Sequence, residues 1–263
     1  MTAYELFDDG VANAGSVFRS GDQVIRPAGP QSVAVHSLLK HLETVGFAGA
    51  PVAIALNDTT ETVAYIPGTV PAPPYDDWVL SDETLDKIAG LLRSYHDAVK
   101  TYDPQANNGW NAGLADPQGT GIACHNDLGP GNVVFREQAP VGLIDWDFAA
   151  PGRAVWDVAR TARAWIPLDV PENAATYGLG GLDPFLRLRI FCEGYGLNAA
   201  QRHDLVEILE LCNAVSTAYV RSQFEAGKPA FVKMWNEYHL DTLYKQRAEW
   251  IAANKSVMHA AVR

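Results

Sequence analysis

The sequence predicts an α+β protein of two lobes, a small β-rich lobe followed by a larger, mainly helical one. Three observations carry this. Short β-patterned runs separated by turn residues fill the first part of the chain. The stretch Pro67-Gly68-Thr69-Val70-Pro71-Ala72-Pro73-Pro74 then interrupts all regular pattern, and from Ala154 onward apolar residues recur almost wholly at helical spacing. Residues 1–68 are assigned to the small lobe, 69–80 to a linker and 81–263 to the large lobe.

Val17-Phe18-Arg19 and Gln23-Val24-Ile25-Arg26 read as two strands around the turn Ser20-Gly21-Asp22, and Pro27 ends the pairing. A helix is expected from Ser32, because Val35, Leu38, Leu39, Leu42 and Val45 share one face and Gly46 stands where a C-terminal cap belongs. Two strands follow, 52–56 and 62–66, separated by the polar turn Asn57-Asp58-Thr59-Thr60-Glu61. Beyond the linker, Ser81-Asp82-Glu83 opens a helix with the apolar stripe Leu85, Ile88, Ala89, Leu92, Tyr95 and Val99, its acids placed to favour the helix dipole. Residues 103–119 are loop-like, strands at 121–124, 133–135 and 141–144 come next, and helices are expected at 154–166, 184–194, 199–226 and 229–258.

The 263 residues, 48% of them hydrophobic, suffice for a buried core. A basic start with an apolar run is lacking at Met1–Asp9 and no stretch reaches membrane-spanning length, so a cytoplasmic location and no membrane association are the expectation. Cys124, Cys192 and Cys212 form no C-x-x-C pair and read as reduced core residues. The net charge of −11 disfavours nucleic acid as a partner and would attract a cationic small molecule; ordinary solubility explains it equally well.

The chemistry is concentrated in His125-Asn126-Asp127-Leu128-Gly129-Pro130-Gly131-Asn132 and, 13 residues after Asn132, in Ile144-Asp145-Trp146-Asp147. Asp127 follows an apolar strand and sits in a loop with two glycines and a proline, where a carboxylate can orient a hydroxyl and take its proton. Asn132 offers a neutral hard oxygen suited to Mg²⁺, and Asp145, ending a strand, offers a charged ligand bridging metal and phosphates. Each residue alone is equally at home as a cap or turn former. Together they specify a site for a nucleotide's phosphates beside a hydroxyl nucleophile. His125 reads as a residue that holds the loop rather than as a base. Asp147 stays open between a second metal, a cationic substrate and solvent.

These motifs, followed by Pro151-Gly152-Arg153-Ala154-Val155-Trp156-Asp157-Val158-Ala159, resemble the aminoglycoside phosphotransferase and choline kinase-like family. The resemblance implies a protein-kinase-like fold and an enzyme that moves the γ-phosphoryl group of ATP or GTP, with Mg²⁺, to an alcohol group of a small molecule. An aminoglycoside or other antibiotic is one acceptor class; choline, homoserine or a sugar amine, as for a metabolic kinase, is another. It assigns Asp127 as catalytic carboxylate, Asn132 and Asp145 as metal ligands, and Asp157 as a support for the active-site loop.

The small lobe departs from the family pattern. Gly10–Val17 holds the position of the phosphate-covering loop, with Gly15 and Ser16 expected near the nucleotide, and the base is expected against Tyr65 and Ile66. The phosphate-binding Lys is matched by Arg26, whose planar fork is wider than an ammonium. Its usual Glu partner falls near Val35 or His36, and this helix has no Glu before Glu43. The ion pair is therefore absent or rebuilt, which keeps open a second function: a kinase-like binding or immunity protein that holds a nucleotide or toxin without turnover. The aromatic residues Trp156, Trp165, Tyr195, Tyr219, Phe224, Trp235 and Tyr238 are core or acceptor-lining candidates, with core the commoner fate of aromatics at helical spacing.

Overall fold

Val24, Ile25 and their neighbours alternate between the faces of an antiparallel five-stranded sheet ordered β1-β2-β3-β5-β4: Tyr4–Phe7, Val17–Ser20, Gln23–Pro27, Thr60–Ala64 and Ala53–Leu56. This computed structural model describes residues 4–7 and 16–263. Gly15 and most of the expected phosphate-covering loop lie outside the described residues.

Helix α1 (Ser32–Thr44) connects β3 to β4 and buries Val35, Leu38, Leu39 and Leu42. Side chains of this kind contribute roughly 1.5–3 kcal/mol each on full burial. The helix ends as its glycine requires: Gly46 has φ +77, and its amide and that of Phe47 return to Glu43 and Leu42.

Strand β5 begins at Thr60, so Glu61, read from sequence as part of a turn, is a buried strand residue. The Asn57 side chain closes the shorter turn by accepting from the Thr59 and Thr60 amides.

The proline-rich stretch itself runs along the large lobe. Thr69 exchanges two 2.8 Å backbone hydrogen bonds with Phe135, and a Cβ on Gly68 (φ +156) would meet the Phe135 carbonyl at 2.5 Å. Only glycine permits that approach.

Helix α2 (Asp82–Ala98) is capped by the Ser81 hydroxyl and runs through the core, with Leu85, Ile88, Leu92 and Tyr95 fully buried. The Tyr95 hydroxyl donates to the Ala123 carbonyl at 2.7 Å, tying the helix to β6 (Ile122–Cys124).

Two small antiparallel pairs then place the motifs. Strands β7 (Val133–Arg136) and β8 (Ala139–Leu143) form a hairpin, while β6 pairs with β9 (Ala150–Gly152), a strand the sequence pattern did not reveal. The β6–β7 loop and the β8–β9 loop therefore lie side by side.

The remaining helices are α3 (Ala154–Trp165), α4 (Pro171–Thr176), α5 (Pro184–Tyr195), α6 (Ala199–Glu225), α7 (Pro229–Glu237) and α8 (Leu240–Ala261). The single helix expected at 229–258 is broken, because His239 adopts a left-handed φ of +49 between α7 and α8. Trp156, Trp165 and Tyr195 belong to the core, and the three cysteines are buried and free. No described helix is long and apolar enough to cross a membrane.

Candidate active site

The loop carrying Asp127 is pinned through its backbone by one face of α3. Asp157, fully buried, accepts from the amides of His125 (2.7 Å) and Asn126 (2.8 Å) and from His96 Nε2 (3.0 Å). One turn along, Arg160 Nε donates to the Asn126 carbonyl at 2.8 Å, and Trp165 Nε1 donates to the Leu128 carbonyl at 3.0 Å. Burial alone would raise the Asp157 carboxyl, but the hydrogen bonds from His96 and from the His125 amide outweigh it and hold the group below its ordinary range.

His125 joins the two loops. Its Nε2 donates to the Ile144 carbonyl (3.0 Å) and its Nδ1 accepts from the Asp127 amide (3.3 Å), which defines a neutral imidazole protonated at Nε2. Burial lowers its pKa accordingly. Burial also pushes the neighbouring Cys124 thiol well up, leaving it without nucleophilic character.

Asp127 is partly exposed, with Oδ2 accepting from Asn132 Nδ2 at 3.2 Å and Oδ1 lying 3.9 Å from Arg160 Nη2. Its pKa is raised to about 7, chiefly by burial; Arg160 pulls against this and Asp145 adds to it. The same Asn132 nitrogen donates to the Asp127 carbonyl at 2.7 Å, which commits the amide nitrogen and leaves its oxygen as the potential ligand.

Asp145 has φ +60 and ψ +70, a left-handed conformation that costs most side chains about 1–2 kcal/mol and that Asp tolerates better than most. Its carboxyl is raised by burial and by Asp147, with Arg26 opposing. The Ile144 amide donates to the Asn132 carbonyl at 3.0 Å, which sets the two expected metal ligands on adjoining backbone.

Arg26 lies over this pair from the small lobe. Its Nη2 is 2.8 Å from Asp147 Oδ1, its Nη1 is 3.6 Å from Asp145 Oδ1, and its Nε is 2.5 Å from Glu61 Oε1. Glu61 faces Arg26 directly across β3 and β5, and its Oε2 lies 3.2 Å from His36 Nε2 on α1. The missing helix Glu is thus rebuilt: the carboxylate comes from a strand, and the helix supplies a histidine behind it. Burial lowers the Arg26 pKa, but Asp147, Glu61 and Asp145 together raise it overall.

The donor set suits Mg²⁺. Asn132 and Asp145, with Asp147 beside them, offer hard oxygens, and the charge of Asp145 raises the Asp127 pKa as that of Asp147 raises Asp145, an electrostatic demand a cation would satisfy. Among the described residues the tight His and carboxylate group that could hold a metal ion is His203, Glu207 and His259, which shares no residue with this site. Among the described residues Asp127, Asp145 and Asp147 form no closed cage, an arrangement compatible with an ion that completes its shell with water and phosphates.

Ser16 begins the second described stretch, just before β2, and Tyr65 and Ile66 follow β5. The Tyr65 amide donates to the Asp22 carbonyl at 2.9 Å, so a base contact at this residue would use its carbonyl. Ile66 packs over Gly142, where a Cβ would come within 2.8 Å of its Cδ1.

On the other side of Asp127 three arginines gather. Arg160 and Arg163 both donate to the Ser216 hydroxyl, Arg163 at 2.7 Å, and Arg163 Nη2 is 3.4 Å from Asn213 Oδ1. Arg247 pairs with Asp169 at 2.5 Å and lies over the Tyr177 and Tyr244 rings. Burial, with Arg247 and Arg160 adding to it, lowers Arg163 to about 10. Tyr219 stands against Phe148 and Phe231 and feels the charges of Asp127 and Asp147.

This fold and site define a kinase-like protein. Residues 110–191 match the phosphotransferase enzyme family. Over 261 residues the chain is 30% identical to the trifolitoxin immunity protein of Rhizobium leguminosarum bv. trifolii, a match covering 94% of this chain and 95% of that protein. The chain belongs to the phosphotransferase enzyme family. Its fold is shared with a choline/ethanolamine kinase family protein from Mesorhizobium loti (TM-score 0.63, 15% identity, covering 99% of this chain and 92% of that one). It is shared also with APH(2″)-IIa in its streptomycin–ATP ternary complex (TM-score 0.57, 13% identity, covering 95% and 93%).

Proposed function

We propose that the chain transfers the γ-phosphoryl group of ATP or GTP to a hydroxyl of a small molecule. The observation that carries this is the setting of Asp127: its carboxylate accepts from Asn132 Nδ2 at 3.2 Å, lies 3.9 Å from Arg160 and feels the charge of Asp145, and burial raises its pKa to about 7. A base poised near neutrality can accept a proton at the operating pH.

In the reaction the acceptor oxygen attacks the γ-phosphorus, Asp127 takes the hydroxyl proton, and the bond to the β–γ bridging oxygen breaks to release the nucleoside diphosphate. Arg26 binds the phosphates, exchanging part of its contact with Asp147. Asn132, Asp145 and in part Asp147 would hold Mg²⁺, which when bound neutralises charge on the phosphates. Asp157 and His125 keep the two loops in register. The similarity to a toxin immunity protein and to the streptomycin complex supports a toxin or antibiotic as acceptor; the choline/ethanolamine kinase likeness supports a metabolic amino alcohol.

A second reading is favoured by Arg26. Held by Glu61, Asp145 and Asp147 at once, it could fix a closed site that binds a nucleotide or toxin without turnover, as an immunity protein by sequestration. Nucleotide consumption separates the two. Phosphoryl transfer requires Mg²⁺-dependent turnover of ATP or GTP, whereas stabilisation by Mg²⁺–nucleotide with neither hydrolysis nor transfer supports sequestration.

A further inference from the structure

The arginines beside Asp127 carry more positive charge than their surroundings neutralise. Arg247 has Asp169, and Arg160 is engaged with the Asn126 carbonyl, Ser216 and, at 3.9 Å, Asp127 itself. Arg163 has no carboxylate within ion-pair distance among the described residues. Its bonds go to the neutral Ser216 and Asn213, and its Nε is buried without a hydrogen-bond partner. A half-buried guanidinium whose Nε is buried and whose bonds go only to neutral groups, next to two other arginines, is costly unless an anion completes it.

Resting on the phosphotransferase reading above, we infer that the acceptor is an anion: a hydroxyl-bearing molecule whose carboxylate or phosphate is received by Arg163 together with Arg160 and Arg247. The path is short. Arg160 touches both Asp127 and Ser216, and Arg163 shares that Ser216 hydroxyl, so an anionic group at Arg163 belongs to a ligand whose hydroxyl reaches Asp127. Guanidinium forks suit carboxylate and phosphate through paired N–H donors. The aromatic residues Tyr177 and Tyr244 supply flat apolar surface beside Arg247. The net charge of −11 invited a cationic acceptor; the local charge beside the catalytic carboxylate has the opposite sign, and like charge would repel an aminoglycoside or choline there. The lowered pKa of Arg163 agrees, since an anion would relieve the repulsion among the three.

The test uses the full chain with Mg²⁺ and a non-hydrolysable nucleotide, and two matched probe pairs. N-acetylthreonine is compared with N-acetylthreoninamide, and glycerol 3-phosphate with glycerol, by titration calorimetry; transfer is then read separately with ATP by mass spectrometry. The anionic member of at least one pair is expected to bind about tenfold tighter than its neutral partner, the effect of one charge-assisted contact. Which pair responds distinguishes carboxylate from phosphate. Arg163→Gln should erase the preference and Arg163→Lys should restore much of it, with nucleotide binding unchanged in both. Neutral members binding as well as the anions in the wild type, or a preference that survives Arg163→Gln, would overturn the inference. Anion preference without any transfer would uphold it and count instead against the phosphotransferase reading.

Discussion

Arg26 and Glu61 stand opposite each other on neighbouring strands, Nε to Oε1 at 2.5 Å, a cross-strand ion pair where one with a helix-borne glutamate was expected. Because Glu61 also touches His36, the position of α1 is coupled to Arg26, the proposed phosphate binder, through one buried carboxylate.

Removing that carboxylate leaves Arg26 to Asp145 and Asp147 alone. Glu61→Gln is expected to destabilise the protein by about 3 kcal/mol, as for breaking one side of a buried pair, and to raise the KM for nucleotide more than it lowers kcat. Urea denaturation and steady-state kinetics check both. Arg26→Lys should also weaken nucleotide binding, because an ammonium cannot span Glu61 and Asp147 with separate nitrogens.

The raised Asp127 pKa gives a sign to the pH dependence. Asp127 must be deprotonated to accept a proton, so kcat/KM is expected to climb about tenfold per pH unit below 7 and level off above it. Stability runs the other way. The native carboxyl holds its proton up to about pH 7 while the unfolded one loses it near pH 4, so this group's contribution falls as pH rises through that window. Asp127→Asn should therefore melt higher than wild type at pH 8 and show little difference at pH 4, measured by calorimetry.

Asp157 behaves in the opposite sense. Its depressed pKa contributes stability present above the ordinary carboxylate value and lost as pH falls through the lower native one. Asp157→Ala orphans the His125 and Asn126 amides and is expected to cost roughly 3–5 kcal/mol. Unfolding by denaturant measures this directly.

Chelation separates the metal's part from the protein's. With EDTA, the rise in melting temperature produced by nucleotide should largely disappear, and Asp145→Asn should weaken Mg²⁺ dependence by about tenfold or more while leaving the apo melting temperature near wild type. An undiminished nucleotide shift in EDTA would remove Asn132 and Asp145 as metal ligands.

The parts of this site written in local pattern were legible from sequence. Asp127, Asn132 and Asp145 occur in short loops bounded by apolar strands, and Arg26 ends a strand before a proline. Glu61 was hidden because a charged residue in a polar run reads as turn, and only the β3–β5 register puts it opposite Arg26. Strand β9 was equally invisible, since Ala150-Pro151-Gly152 has no β-propensity and exists through its partner β6. The arginine cluster joins α3, α6 and α8 across the fold, and spacing within one helix shows none of that. The break at His239 has no proline or glycine to announce it.

The most direct measurement of the central claim is transfer of label from γ-³²P-labelled ATP and GTP, with Mg²⁺, to an acceptor panel of antibiotics, amino alcohols and hydroxy acids, run in parallel with Asp127→Asn. Acceptor-dependent labelling by the wild type, reduced about 10²–10⁴-fold in the variant, is the expected result. Nucleotide binding with no labelled acceptor anywhere in the panel, or labelling that Asp127→Asn leaves intact, would contradict it.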